Sequence, residues 1–320
     1  MKKKIMAVLL ATVLVMSMLA GCGNGSKKEK VYNVGVCQLV QHVALDAATQ
    51  GFEDALKEKL GDAVKFDVQN AQGDSATCST IVNQFVAENV DLILANATAP
   101  LQAAAAGTTT IPILGTSITD YASALDIDGW SGVTGRNISG TSDLAPLSEQ
   151  ANMLVELFPD AAVVGVLYCS AEANSQYQAD VIKSELEAKG LTVEFFTFVD
   201  TNDVATVAQN AADSVDVIYL PTDNTVASNT EIIDSICRPA GVPIIAGEEG
   251  ICATCGVATL SISYYDLGYA TGEMAYEVLV NGKDISAMEV EYAPAVTKKY
   301  NAEIAAEFGI EIPSDYVVIE

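Results

Sequence analysis

Basic residues are scarce in this chain: 16 Lys+Arg stand against 42 Asp+Glu in 320 residues, a formal net charge of −26. Only two of them are arginines, Arg136 and Arg238. Arginine supplies the bidentate fork that phosphates and dicarboxylates require, so a site for such ligands lacks its usual anchor. A surface this acidic also repels phosphate backbones and anionic headgroups, which argues against nucleic acid as a partner. Histidine is reduced to His42 alone, and no GxSxG, HExxH or GxxxxGK[ST] pattern occurs. Nucleophilic, zinc and phosphate-loop chemistry therefore lack their marks. A secreted hydrolase survives as an alternative only through paired carboxylates such as Glu248 and Glu249, and neighbours in sequence tend to diverge. No cofactor or metal site is expected, and the expected class is not an enzyme.

What is present is a globular composition. Half of the residues are apolar and 18% are charged, which excludes a disordered chain. At about 150 residues per domain the length suggests two domains or one domain with two lobes.

The N-terminus carries an export pattern. Lys2, Lys3 and Lys4 precede an apolar run from Ile5 to Leu19. That run is short for a membrane span, which needs roughly 20 residues, but suits a secretory segment. It ends in Leu19-Ala20-Gly21-Cys22. This resembles a bacterial lipobox, which implies a signal peptide over residues 1–21, lipidation of Cys22 and anchoring to a membrane outside the cytoplasm. Residues 22–30 read as a polar tether. Six further cysteines follow: Cys37, Cys78, Cys169, Cys237, Cys252 and Cys255. An exported chain permits bridges, with Cys252–Cys255 and Cys237–Cys252 the candidate pairs. Free thiols are the default, because Cys37 and Cys169 sit in apolar strand-like runs.

From Val31 onward short β-rich runs alternate with amphipathic segments, the pattern of βαβ units. The pattern occurs twice. Asn33–Cys37, Val64–Val68, Asp91–Asn96 and Ile111–Gly115 mark the strands of one half, and Val163–Leu167, Thr192–Phe196, Asp216–Leu220 and Val242–Ala246 those of the other. The expected fold class is α/β, with two doubly wound parallel-sheet lobes joined by a three-strand hinge. The N-terminal lobe is assigned residues 31–138 plus 263–288, and the C-terminal lobe 139–262 plus 289–320. Crossing strands are expected at Ser131–Gly140, Thr259–Tyr265 and Glu289–Val296.

In open parallel sheets, ligands sit beyond the carboxyl ends of the strands. Aligning the two halves makes this residue-specific. One rim carries Leu39, Gln41, Asn96, Thr98, Ser117 and Thr119, which are mainly neutral and suit a carboxylate at helix N-termini. The facing rim carries Ser170, Glu172, Asn174, Asp223, Asn224, Glu248 and Glu249, and its carboxylates suit an ammonium. Donors facing acids complement a zwitterion, hence an amino acid. The bland reading is that Thr98, Ser117 and Asp223 cap helices. Tyr121, Trp130, Tyr168, Tyr264 and Tyr265 are the aromatic candidates for a side-chain pocket.

Five spaced segments carry a family resemblance: Ala95–Thr98, Ile113–Asp120, Tyr168–Ser175, Pro221–Ser228 and Tyr264–Gly268. Together with the lipobox and two lobes, they resemble the tryptophan/tyrosine-type substrate-binding lipoproteins of ABC importers, which have a periplasmic-binding-protein type I fold. Gly247-Glu248-Glu249-Gly250 resembles the segment with which branched-chain amino-acid receptors hold the ligand's ammonium. The chain departs from the pattern at Val43 and Ala99, both on the rims. The resemblance implies a monomeric receptor that closes on an aromatic amino acid, tryptophan first and tyrosine or phenylalanine next. It would deliver this cargo to an ABC permease with its cytoplasmic ATPase. A nucleoside or signalling molecule in the same fold is the alternative cargo.

Overall fold

A computed structural model describes residues 30–293 and 295–319. The signal-peptide and Cys22 expectations fall outside these residues. Tyr32–Glu320 forms one compact unit. Its first sheet is built from β1 (Tyr32–Gln38), β2 (Val64–Asn70), β3 (Leu92–Asn96), β4 (Ile113–Ile118) and β5 (Ile138–Ser142), with β11 (Glu291–Tyr292) added late. The second uses β6 (Val163–Cys169), β7 (Thr192–Phe198), β8 (Val217–Leu220), β9 (Ile244–Ala246) and β10 (Ala258–Ser261), then β12 (Thr297–Tyr300) and β13 (Val317–Val318). The spatial orders are β2-β1-β3-β4-β5-β11 and β7-β6-β8-β9-β10-β12-β13. Both halves therefore repeat the 2-1-3-4-5 doubly wound order. Every pair is parallel except β10 with β12. The internal repeat in sequence is a repeat in space.

Central strands are buried on both faces, which is why β1, β3 and β4 read as apolar runs rather than alternating ones. In the first lobe, helices α1 (Val43–Leu60) and α11 (Tyr264–Leu279) cover one face, through Phe52, Leu56 and Met274. Helices α2 (Ser75–Glu88) and α3 (Thr98–Gly107) cover the other, through Ile81, Phe85 and Leu101. The second lobe has α5 (Leu147–Leu157) and α6 (Ala173–Ala188) on one face. On its other face lie α7 (Val204–Ala212), α9 (Thr230–Ala240) and α10 (Glu249–Cys255). Short helices α4 (Tyr121–Ala124) and α8 (Asn224–Ala227) follow β4 and β8, and α12 (Ala302–Glu307) follows β12. The six described cysteines are buried free thiols, so neither candidate bridge forms.

The crossings lie elsewhere than the sequence suggests. Residues 131–137 form no strand, and Ile138–Ser142 is the fifth strand of the first sheet, pairing with β4. The chain leaves the first lobe only at Asp143–Pro146, so the boundary at 138/139 is too early. Glu291 and Tyr292, assigned to the second lobe, pair with Thr141 and Ser142 in the first sheet. An edge strand such as β5 exposes unpaired backbone groups, and β11 covers them. The last passage to the second lobe runs between Tyr292 and Thr297. The middle passage lies at Ile262–Ser263, after β10 and before α11.

Helix α11 returns to the first lobe and packs closely on α1. A Cβ on Gly268 would stand 1.9 Å from the Ala48 carbonyl oxygen, and one on Gly51 would stand 2.1 Å from that of Tyr265. Only glycine permits the approach, because the obstacle is backbone that cannot rotate away. Gly268→Ala is expected to destabilise the protein by about 2–3 kcal/mol, the scale of overpacking. Ser79→Ala, at an exposed site on α2, should change stability by less than about 0.5 kcal/mol. Urea unfolding of both variants checks this; equal midpoints would contradict the packing argument.

Candidate functional site

The carboxyl ends of β1, β3 and β4 face those of β6, β8 and β9 across the cleft, and each of the six strands runs into a helix start. Two of these ends are strained. Ala97, just after β3, has φ 97°, and Ser117, near the end of β4, has φ 57°. Positive φ in non-glycine residues costs on the order of 1–3 kcal/mol and gathers where function needs it. The β4–β5 register breaks between Gly115 and Ile118, so Ser117 sits on an irregularity that re-aims its side chain.

An inner cavity of about 10 Å³, room for little more than a water, lies between the lobes. Its walls include Ser117, Thr119 and Asp143 from one side and Asp223, Asn224 and Glu248 from the other. His42 and Tyr264 also line it. Two of its polar atoms, Ser117 Oγ and Asp143 Oδ1, are buried with no hydrogen-bond partner. The other Asp143 oxygen accepts from the Tyr264 hydroxyl at 2.9 Å, linking the first crossing to the start of α11. A larger outer cavity of about 310 Å³ adjoins through Asn174 and Asn224, which line both. An open recess of about 230 Å³ adjoins on another side through His42 and Glu248. No Lys or Arg lines any of the three.

The lobes touch across this cleft. His42 Nε2 donates to Asn224 Oδ1 at 3.2 Å. Asn224 is itself held by Glu172, whose carboxylate accepts from the Asn224 side chain at 2.7 Å. The same carboxylate accepts from the Thr225 amide at 2.8 Å and its hydroxyl at 2.7 Å, so it fixes the start of α8. Burial lowers the His42 pKa against the opposing pull of Asn224, Glu172 and Asp46.

The expected residues separate into four groups. Leu39, Thr98 and Glu172 line the outer cavity, with Asn174 and Asn224 shared. Ser117, Thr119, Asp223 and Glu248 line the inner one, and Gln41 the open recess. Asn96, Ser170 and Glu249 line none of them. Asn96 is fully buried beneath the rim, its amide donating to Leu45 O and Thr49 Oγ1, because it ties β3 to α1. The Ser170 hydroxyl donates to Phe198 O. Glu249 points outward to Lys299, 2.8 Å away, and accepts from Ser261, so it is no part of the acidic wall. Its neighbour Glu248 turns inward instead: as the N-cap of α10 it accepts from the Gly250 and Ile251 amides. Asp223 lies on the inner wall, but its oxygens already accept from the Val226 and Cys169 amides, at 2.8 and 2.7 Å.

Among the aromatic candidates only Tyr264 reaches the inner cavity. Tyr121 and Trp130 stack on each other, Tyr168 meets Phe195 edge-on, and Tyr265 stands half exposed beside Tyr269. His42 and Asp143 line the inner cavity without belonging to the expected ligand contacts. The signal for Asp143 was a lone acid in the run Ile138–Leu144, where strand burial excludes an unpaired charge.

Burial is the main electrostatic force here. It raises Asp143 to about 6, against the hydrogen bond from Tyr264. It raises Glu248 to about 7, against the two capping amides, and Glu249 and Asp143 push the same way. Asp223 is held well above the ordinary range by burial and then by Glu172.

The comparisons with known proteins agree with this geometry. Residues 33–319 match the family model for ABC transporter substrate binding proteins. A curated relative, the tyrosine-binding protein of Clostridioides difficile (strain R20291), is 36% identical over 304 residues, covering 90% of this chain and 87% of its own. A crystal structure of an ABC domain from Streptococcus pneumoniae in complex with L-Trp is 33% identical with a TM-score of 0.86, covering 91% of this chain and all of its own. The ligand-free, open structure of a substrate-binding protein with adhesive properties from Clostridium difficile is 35% identical at the same coverages, with a TM-score of 0.68. At similar identity and equal coverage, the arrangement of this chain is nearer the complex than the open form.

The raised carboxyls set a pH dependence. Folding moves Asp143 from the ordinary 3.8 to about 6 and Glu248 from 4.5 to about 7. The folded state then holds protons that the unfolded chain has lost, so their contribution to stability falls as pH rises through that window. The melting temperature of the ligand-free protein should drop between about pH 4.5 and 7.5, and Asp143→Asn or Glu248→Gln should make the drop shallower. Unchanged slopes in both variants would count against this assignment.

Proposed function

Because the chain belongs to the ABC transporter substrate-binding proteins and has the periplasmic-binding-protein type I fold, we propose that it binds a free aromatic amino acid between its lobes and presents it to a permease. Tryptophan is the first expected cargo, with tyrosine or phenylalanine next. The observation that carries the reading is the pair of orphaned buried groups, Ser117 Oγ and Asp143 Oδ1, in one inner cavity. Buried polar atoms without partners are rare, and here they line the inner cavity, which adjoins the larger outer one. The pair offers a hydroxyl to a carboxylate and an acid to an ammonium, while Glu248 adds a second acid and Thr98 a second hydroxyl at the start of α3. The outer cavity of about 310 Å³ gives a bulky side chain its direction. Its size also suits the named cargo of the relatives, tyrosine for one and L-Trp for another.

The same reading places the protein outside the cytoplasm, held to the membrane through lipid on Cys22. It works by closing: the His42–Asn224 contact forms only with the lobes together, and a ligand that touches both lobes favours that state in proportion to its differential affinity. The chemistry of this reading is binding rather than turnover.

Calorimetric titration with the twenty amino acids is the direct test. An aromatic one should bind best, and Ser117→Ala should weaken it about tenfold, the loss of one hydrogen bond of about 1.4 kcal/mol. Ser170→Ala, outside the cavities, should leave affinity unchanged. No response to any aromatic amino acid would overturn the proposal.

A further inference from the structure

The inner cavity contains a charge problem that its own residues do not solve. Asp143 and Glu248 each have 4% of their surface exposed and line the same space. No basic side chain joins them there. Lys299 is committed to Glu249, and Arg238 to Asp234 and Glu307. The other titratable groups packed around the space are no help. Asp223 and Glu172 are acids already occupied by helix-start donors, Asp46 accepts from Gln38, and Tyr121 and Tyr264 are phenols. His42 stands on the rim and spends its Nε2 proton on Asn224. Two carboxylates in a nearly dry space without a countercharge are strongly disfavoured, so the empty seat holds at least one of them as the acid.

We propose that the ligand's ammonium takes the place of a proton in the Asp143–Glu248 seat, so that cargo binding releases a proton to solvent. The inference rests on the amino-acid reading above and adds a regulation to it. In the exchange, the O–H bond of one carboxylic acid breaks and its proton passes to water. The ammonium then donates N–H hydrogen bonds to the carboxylate left behind. The charge of the seat is the same before and after: a neutral acid is replaced by an ion pair. Asp143 supplies the acceptor, since its Oδ1 has no partner of its own while Tyr264 holds Oδ2 in place. Glu248 supplies the way out, because it lines both the inner cavity and the open recess. The raised pKa values of both groups put the exchange between mildly acidic and neutral pH.

The consequence is an affinity that depends on external pH. Below the titration range the ammonium must compete with protons, so affinity should rise up to about tenfold per pH unit on going from about pH 5 to 7 and then level off. The experiment is calorimetry of the intact protein with tryptophan and tyrosine in buffers of different ionisation enthalpy. Near pH 6 the apparent heat should vary with the buffer in the sense of proton release, on the order of half to one proton per ligand, and should cease to vary near pH 8.5. Asp143→Asn should abolish most of the release and flatten the pH dependence, and Glu248→Gln provides the same readout should the first variant fail to fold. Indole-3-propionate, which has the ring and carboxylate but no ammonium, should release no proton. Tight binding with buffer-independent heats at pH 6 would overturn the coupling while leaving the amino-acid reading intact. No binding at any pH would overturn that reading, and the coupling with it.

Discussion

The cleft is governed by the cost of burying negative charge where no positive charge is at hand. A carboxylate removed from water must find donors, find a cation or take up a proton. The chain offers each acid a different solution. Glu172 collects donors from Asn224 and Thr225, Asp223 collects backbone amides, and Glu249 turns outward to Lys299. Glu248 collects the two capping amides of α10 while Asp143 keeps one oxygen without a partner, and both face the cavity, as does Asp223. The scarcity of arginine, which at the level of composition excludes phosphate ligands, is the same fact that leaves this seat in need of a cation from outside. Composition and site chemistry are one constraint seen at two scales.

The duplicated α/β pattern was legible because parallel strands buried on both faces leave apolar runs that no surface segment imitates. The rims followed from the repeat, and Ser117, Thr119 and Glu248 were reachable that way. Other residues were not separable from them by sequence. Asn96 and Thr98 are two positions apart, yet one ties β3 to α1 from beneath while the other lines the outer cavity. Glu248 and Glu249 look equivalent on paper, but the N-cap geometry of α10 turns the first inward and leaves the second to Lys299. Asp143 is hidden in the sequence because the expected crossing, Ser131–Gly140, ends before it: assigned to the second lobe, residue 143 has no neighbours to suggest a role. The register of β5, which sets it beside Tyr264, depends on pairings with β4 and β11 from far along the chain. Long-range pairing of that kind leaves little local trace.

Strain and closure belong together in this architecture. Ala97 and Ser117 hold unfavourable backbone conformations at the ends of adjacent strands, and rigid sheet on one side and helix starts on the other keep them there. Such rigidity pre-organises the first lobe's rim, so a ligand meets half of its site already formed. The second lobe brings Asn224, fixed by Glu172, up to His42. The crossings at Asp143–Pro146 and Ile262–Ser263 are joined by the Tyr264–Asp143 hydrogen bond. In the proposed function, the seat for the ligand and the junction between the crossings share one residue, Asp143.

The glycine contact between α1 and α11 has a consequence for how the molecule is made. Gly51 meets the backbone at Tyr265 and Gly268 that at Ala48, yet more than 200 residues of chain separate the partners. The first lobe cannot complete its core until residues 264–279 have emerged, by which time all five parallel strands of the second lobe have been synthesised. Contacts this distant in sequence make assembly slow. Completion of the first lobe is therefore late: the half that leaves the ribosome first lacks the piece that would lock it shut.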